Sequence, residues 1–134
     1  MSRAFFDTNV LIYAFSTDDH RSPRALELLH HGGVISVQCL NEFASVARRK
    51  LNLSWSRVRI ALRTIEELCE PIVPLTRELH HDGLVLAEER QLSVYDGMIV
   101  AAARASGCDV LWSEDMHHGL VIDGVLTIRN PFAD

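Results

Sequence analysis

Lysine is almost absent from this chain: Lys50 is the only one in 134 residues. Arginine therefore carries nearly all the positive charge. Its planar fork makes bidentate phosphate contacts that an ammonium cannot, although a biased genomic base composition would give the same usage. Long apolar runs are also missing. None approaches the roughly 20 residues needed to span a bilayer. Residues 1–20 lack a basic start followed by a long apolar stretch, so no secretory signal is expected. The three cysteines, Cys39, Cys69 and Cys108, are odd in number and form no C-x-x-C pair. That excludes a disulfide framework and fits reduced, buried thiols in a cytoplasmic protein. No stretch has the composition of a linker, a repeat or a low-complexity segment. With 48% hydrophobic residues, one compact domain over residues 1–134 is expected.

The net charge is −5. As a sum it argues against nonspecific polyanion binding. The sum includes four acids in telling places, each at the entrance to or exit from a different apolar segment. Asp7 ends the run Phe5-Phe6, and Glu42 opens a helical pattern in Leu40-Asn41-Glu42-Phe43. Asp96 opens another in Tyr95-Asp96-Gly97-Met98-Ile99, and Asp115 follows Val110-Leu111-Trp112.

Arg3–Phe6 reads as a buried strand. Val10–Phe15 reads as a short helix begun at Thr8 or Asn9. Pro23 is placed to start the next helix, and Gly32-Gly33 to end it. Val34–Val37 is a second strand. Gln38–Leu51 is helical. Ser54 caps a helix whose apolar face is Val58, Leu62, Ile65 and Cys69. Pro71–Leu75, bounded by prolines, is an edge strand. Thr76 caps a helix to about Arg90, and Ser93 caps one that Gly107 ends. Asp109–Trp112 and, after a turn at Asp123-Gly124, Val125–Ile128 complete five strands. This alternation predicts an α/β fold with a central, mostly parallel sheet between layers of helices.

In such sheets, sites lie beyond the carboxyl ends of the strands. Asp7, Glu42 and Asp115 each follow a strand. Asp96 sits in a helix's first turn, where the dipole favours its ionised form. Each acid alone has an ordinary explanation as a cap or a dipole partner. Jointly they point to one cluster. Converging carboxylates repel unless cations hold them, so the pattern suggests Mg²⁺ or Mn²⁺ and phosphate chemistry.

The chain resembles the PIN-domain ribonucleases, and especially the VapC-like toxins of toxin–antitoxin pairs. The pieces that carry the resemblance are Phe6-Asp7-Thr8-Asn9-Val10-Leu11, Asn41-Glu42-Phe43, Tyr95-Asp96-Gly97-Met98-Ile99-Val100-Ala101-Ala102-Ala103 and Ser113-Glu114-Asp115-Met116. They occur in the family's order and cover essentially the whole chain. The resemblance implies a PIN-like three-layer fold with a five-strand sheet. It implies an endoribonuclease that hydrolyses RNA phosphodiesters to 5′-phosphate and 3′-hydroxyl ends, using one or two Mg²⁺ or Mn²⁺ ions. Asp7, Glu42, Asp96 and Asp115 would be the catalytic and metal-binding acids. Thr8 and Ser113 would orient them through their hydroxyls, and Asn9 would tie the first turn to its neighbours. Glu114 could share or replace the role of Asp115. The implied partners are RNA, a VapB-like antitoxin and a second copy of the chain, with no membrane. A PIN nuclease of RNA maturation is the nearest alternative. A Mg²⁺-dependent phosphoacceptor domain is a more distant one, because it needs a lysine beside the phosphate and Lys50 is expected far from any strand end.

Other features have plainer readings. The pairs His30-His31, His80-His81 and His117-His118 are poor chelates, since adjacent helical residues point apart. His117 or His118 is the exception to watch, because it follows Asp115 and could lie near bound RNA. Arg48-Arg49-Lys50 with Arg57, Arg59 and Arg63 form a basic cluster that suits either phosphates or solvent. Trp55, Val58, Leu62 and Ile65 read as core, with an extension toward a partner groove.

Overall fold

A computed structural model describes residues 3–133. The elements run β1 (Ala4–Phe6), α1 (Thr8–Ala14), α2 (Ser22–His31), β2 (Gly33–Ser36), α3 (Val37–Arg49) and α4 (Trp55–Leu68). They continue with β3 (Cys69–Val73), α5 (Arg77–Arg90), α6 (Val94–Ala105), β4 (Val110–Trp112), β5 (Val121–Ile122) and β6 (Leu126–Arg129). The strands form one sheet in the order β3-β2-β1-β4-β6-β5. The first five in that order are parallel, and β5 is antiparallel to β6. The sheet is therefore mostly parallel and flanked by helices, with six strands where the sequence predicts five.

The extra strand is β5. It has two residues, too few for an apolar period to declare itself. Its signal was the Asp123-Gly124 pair. Both residues take a positive φ, 52° and 70°, in the three-residue turn that joins Ile122 to Leu126. A second difference is Cys69. It falls on the helical face of α4 by spacing, yet it adopts extended φ/ψ and begins β3. β3 is an edge strand, as Pro71 within it and Pro74 just after it indicate.

Helix ends follow local chemistry. Ser54, Thr76 and Ser93 each accept the backbone N–H three residues on, at 3.0–3.2 Å. Gly32 closes α2 at φ +82°. The core is one cluster between sheet and helices, with Phe5, Phe6, Leu11, Phe43, Ile65, Ile99 and Leu111 almost wholly buried. Trp55 lies outside it, 57% exposed. Its ring lies under the Arg48 guanidinium at 4.4 Å.

α5 and α6 approach closely through two glycines. A methyl on Gly97 would stand 2.3 Å from the Gly83 carbonyl oxygen, and one on Gly83 would stand 2.4 Å from Met98 Sδ. The contact sets the position of the first turn of α6, which carries Asp96. Alanine at position 97 gains about 1 kcal/mol of helix propensity. The backbone clash outweighs it, since overpacking costs roughly 1–3 kcal/mol. Gly97→Ala is expected to lower the melting temperature, and a denaturant titration measures the loss. An unchanged or higher melting point would show that the helices can separate freely.

Candidate active site

The strand order changes direction at β1: the chain builds β2 and β3 on one side and β4 and β6 on the other. A crevice opens beyond the strand ends at such a switch point. Asp7 stands there, at the end of β1 and as the N-cap of α1. α3 leads from β2 on one flank, and the loop after β4 occupies the other.

Asp7 is 5% exposed. Its Oδ1 accepts the Thr8 N–H at 2.7 Å. Its Oδ2 accepts the Ser113 hydroxyl at 2.7 Å and the Asn9 amide at 3.3 Å. Burial nevertheless pushes its pKa up to about 7. The Ser113 and Thr8 bonds oppose this rise, and the charges of Asp96 and Glu42 add to it.

The other acids are more open. Glu42, in α3, is half-buried. Its Oε2 accepts the Gln38 amide at 3.1 Å. Burial raises its pKa, the Gln38 bond opposes the rise, and Asp96 adds to it. Asp96, in the first turn of α6, is raised by burial and by Asp115, against the Ser93 bond. Asp115 is exposed at the mouth of the crevice and accepts from Asn9 Nδ2 at 3.2 Å. The four acids thus share one electrostatic neighbourhood, though they come from four separate parts of the chain.

Asn9 ties them together. Its amide bridges Asp7 and Asp115, and its Oδ1 accepts the Glu114 N–H at 3.3 Å. Glu114 points elsewhere. Its carboxylate takes Arg21 Nη1 at 2.8 Å and the Tyr13 hydroxyl, while Asp115 lines the crevice. Thr8 differs from its expected part: its backbone N–H holds Asp7, and its buried Oγ1 has no hydrogen-bond partner. The histidines stay apart from the acids. His118 Nδ1 accepts the Asn130 N–H at 2.9 Å, and neither His117 nor His118 lines the crevice.

The crevice is a cavity of about 430 Å³. Thr8, Asn9, Glu42 and Asp115 form its acidic end. Lys50, the C-cap of α3, also lines it, away from the strand ends. An all-oxygen donor set suits a hard divalent cation. The orphaned Thr8 hydroxyl suits a bound water. Among the described residues no three His, Cys, Asp or Glu side chains stand in ready ligating distance of one another. An ion here would keep part of its water shell, as Mg²⁺ usually does.

An acidic switch-point crevice on a parallel sheet defines a class of α/β proteins suited to divalent-cation chemistry. The chain belongs to the PIN-domain family, whose profile matches residues 4–119. No curated protein matches it significantly. Solved structures share its fold. The toxin–antitoxin complex from Klebsiella pneumoniae is 24% identical with a TM-score of 0.71, over 96% of this chain and 98% of that one. VapC20 of Mycobacterium tuberculosis, a sarcin-ricin-loop-cleaving toxin, is 21% identical with a TM-score of 0.67, over 84% and 89%. DNA-bound VapBC of Salmonella typhimurium is 19% identical with a TM-score of 0.69, over 98% and 99%.

The Asp7 shift has a sign that can be measured. The folded protein holds a proton that the unfolded chain releases between about 3.8 and 7. Metal-free stability therefore falls as pH rises through that window. Each unit corresponds to about 1.4 kcal/mol. Asp7→Asn removes the charge but weakens the Asn9 and Ser113 bonds, so a net gain on the order of 2 kcal/mol at neutral pH is expected. Melting curves across this range, with a chelator present, test it. A wild-type slope that persists in Asp7→Asn would assign the effect to other groups.

Proposed function

We propose that this chain is a metal-dependent endoribonuclease and the toxin of a VapBC-type toxin–antitoxin pair. The observation that carries the reading is the buried Asp7 carboxylate, held by three donors beside three further acids. Such a charge cluster is costly unless a cation or a proton relieves it. Membership of the PIN family and a fold shared with VapC toxins over nearly the whole chain support the same reading.

Asp7, Glu42, Asp96 and Asp115 would hold Mg²⁺ or Mn²⁺, one or two ions, with Asp7 as the fixed point. A bound divalent ion neutralises charge at a phosphate and makes a nearby water more acidic. The chain's own groups do the rest. The Ser113 and Thr8 N–H bonds favour the ionised form of Asp7 against burial, and with Asn9 they aim it. Glu42, half-buried on the cavity wall with a raised pKa, is placed to take a proton from the attacking water. Glu114, engaged by Arg21 and Tyr13, holds the loop that presents Asp115.

The partners follow from the same reading: RNA as substrate, a VapB-like antitoxin, and a second copy of the chain. Two exposed apolar surfaces accord with two protein partners. One surrounds Leu75, Val94 and Tyr95, and the other surrounds Phe15, Leu53 and Ile60. No helix among the described residues is long and apolar enough to cross a membrane.

Purified protein should cleave RNA only with Mg²⁺ or Mn²⁺ present. Asp7→Asn and Asp96→Asn should lose at least about 100-fold in rate while remaining folded. Ser113→Ala should raise the metal concentration for half-activity by roughly 10- to 100-fold, as loss of a ligand-orienting bond does. Full activity in both Asn variants would remove the metal site from the mechanism.

The toxin assignment has its own test. Expression of the intact chain should arrest growth, and Asp7→Asn should not. Active nuclease without growth arrest would favour a role in RNA maturation.

A further inference from the structure

The acidic crevice continues well past the acids, and its far end is cationic. Glu42 and Val46 of α3 and Lys50 at its C-cap recur every fourth residue, and all three line the cavity. One helix stripe therefore forms a whole wall. Thr8 and Ile12 of α1, with Ser16 just beyond it, form the facing wall. Glu42 and Lys50 are eight residues apart, about 12 Å along the axis. No single phosphate can touch both. A short length of nucleic-acid backbone can.

Charge makes the far end selective. Asp19 also lines the cavity, but Arg21 Nη2 pairs with it at 2.9 Å. Lys50 forms no ion pair among the described residues and is the one cation on the cavity wall. Two of its basic neighbours in sequence are engaged away from the cavity. Arg48 stacks on Trp55 and donates to the Leu53 carbonyl at 3.0 Å, and Arg57 borders a separate apolar groove. Between the two charged ends the wall is apolar, with Ile12 on one side and Val46 on the other.

We propose that Lys50 is a substrate-positioning residue that binds an RNA phosphate next to the one held at the acids. The intervening nucleoside lies across Ile12 and Val46. The cavity thus has a direction, from the scissile phosphate at Glu42 and Asp115 to a flanking phosphate at Lys50. This rests on the nuclease reading above. A cation at the end of α3 also complements the helix dipole, so stability has to be separated from substrate binding.

The test compares wild type with Lys50→Ala, Lys50→Arg and Lys50→Glu, using a randomised single-stranded RNA pool with Mg²⁺ over a range of NaCl. Lys50→Ala is expected to raise KM about tenfold with kcat within about twofold of wild type. It should also flatten the slope of log binding against log salt by about 0.7, the share of one phosphate on a single strand. Lys50→Arg should restore most of the affinity, and Lys50→Glu should weaken it further. Unchanged KM and salt slope in Lys50→Ala would overturn the proposal. So would a fall in melting temperature alone, which would leave Lys50 a helix-end residue. Absence of cleavage by the wild-type protein would instead overturn the nuclease reading on which the proposal depends.

Discussion

A carboxylate removed from water has to be hydrogen-bonded, neutralised or protonated. Asp7 is nine-tenths buried or more, and much of this structure serves that requirement. Its three donors come from the first residue of α1, from the following Asn9, and from Ser113 across the sheet. They reach it only if β1 and β4 pair in register, which the Asp7 N–H secures by donating to the Trp112 carbonyl at 2.9 Å. Even so, the site is under-neutralised as it stands. The charges of Glu42 and Asp96 add to the desolvation that raises the Asp7 pKa.

The surrounding contacts hold the loops that complete the site. Arg21 lies over the Tyr13 ring at 3.9 Å, pairs with Asp19, and pairs with Glu114. The Phe132 and Tyr13 rings pack edge to face with centroids 5.3 Å apart. Together these pin the loop before α2 and the chain's last segment to the loop that carries Asp115. Partly exposed ion pairs contribute little stability one at a time. Here they form a network, and its effect is geometric: Glu114 turns outward to Arg21 while Asp115 faces the crevice. On the opposite flank the paired glycines of α5 and α6 fix the first turn of α6, whose Asp96 charge acts on Asp7 and Glu42.

The shared fold explains how chains near 20% identity superpose over nearly their full length. A parallel sheet buried on both faces needs only apolar strands of the right length and helices with one apolar face. Many sequences meet that condition.

Local rules in the sequence determined most of the secondary structure. Ser54, Thr76 and Ser93 declared their helices because capping depends only on residues within one turn. The prolines in and just after β3 marked an edge strand because a missing N–H cannot serve a central ladder. The two-residue β5 and the end of α4 at Cys69 were less legible, since pairing with β6 and β2 overrides a short apolar pattern there. The four acids were also visible in sequence, each beside an apolar run. Their approach to one another was not, because it depends on strand order and on the switch at β1. Tertiary structure alone decided that Asn9 bridges Asp7 to Asp115, that Thr8 offers its backbone and not its hydroxyl, and that Arg21 claims Glu114. It also brought the only lysine onto the wall of an acidic crevice. These contacts join residues up to 106 positions apart, and no periodicity within a segment encodes them.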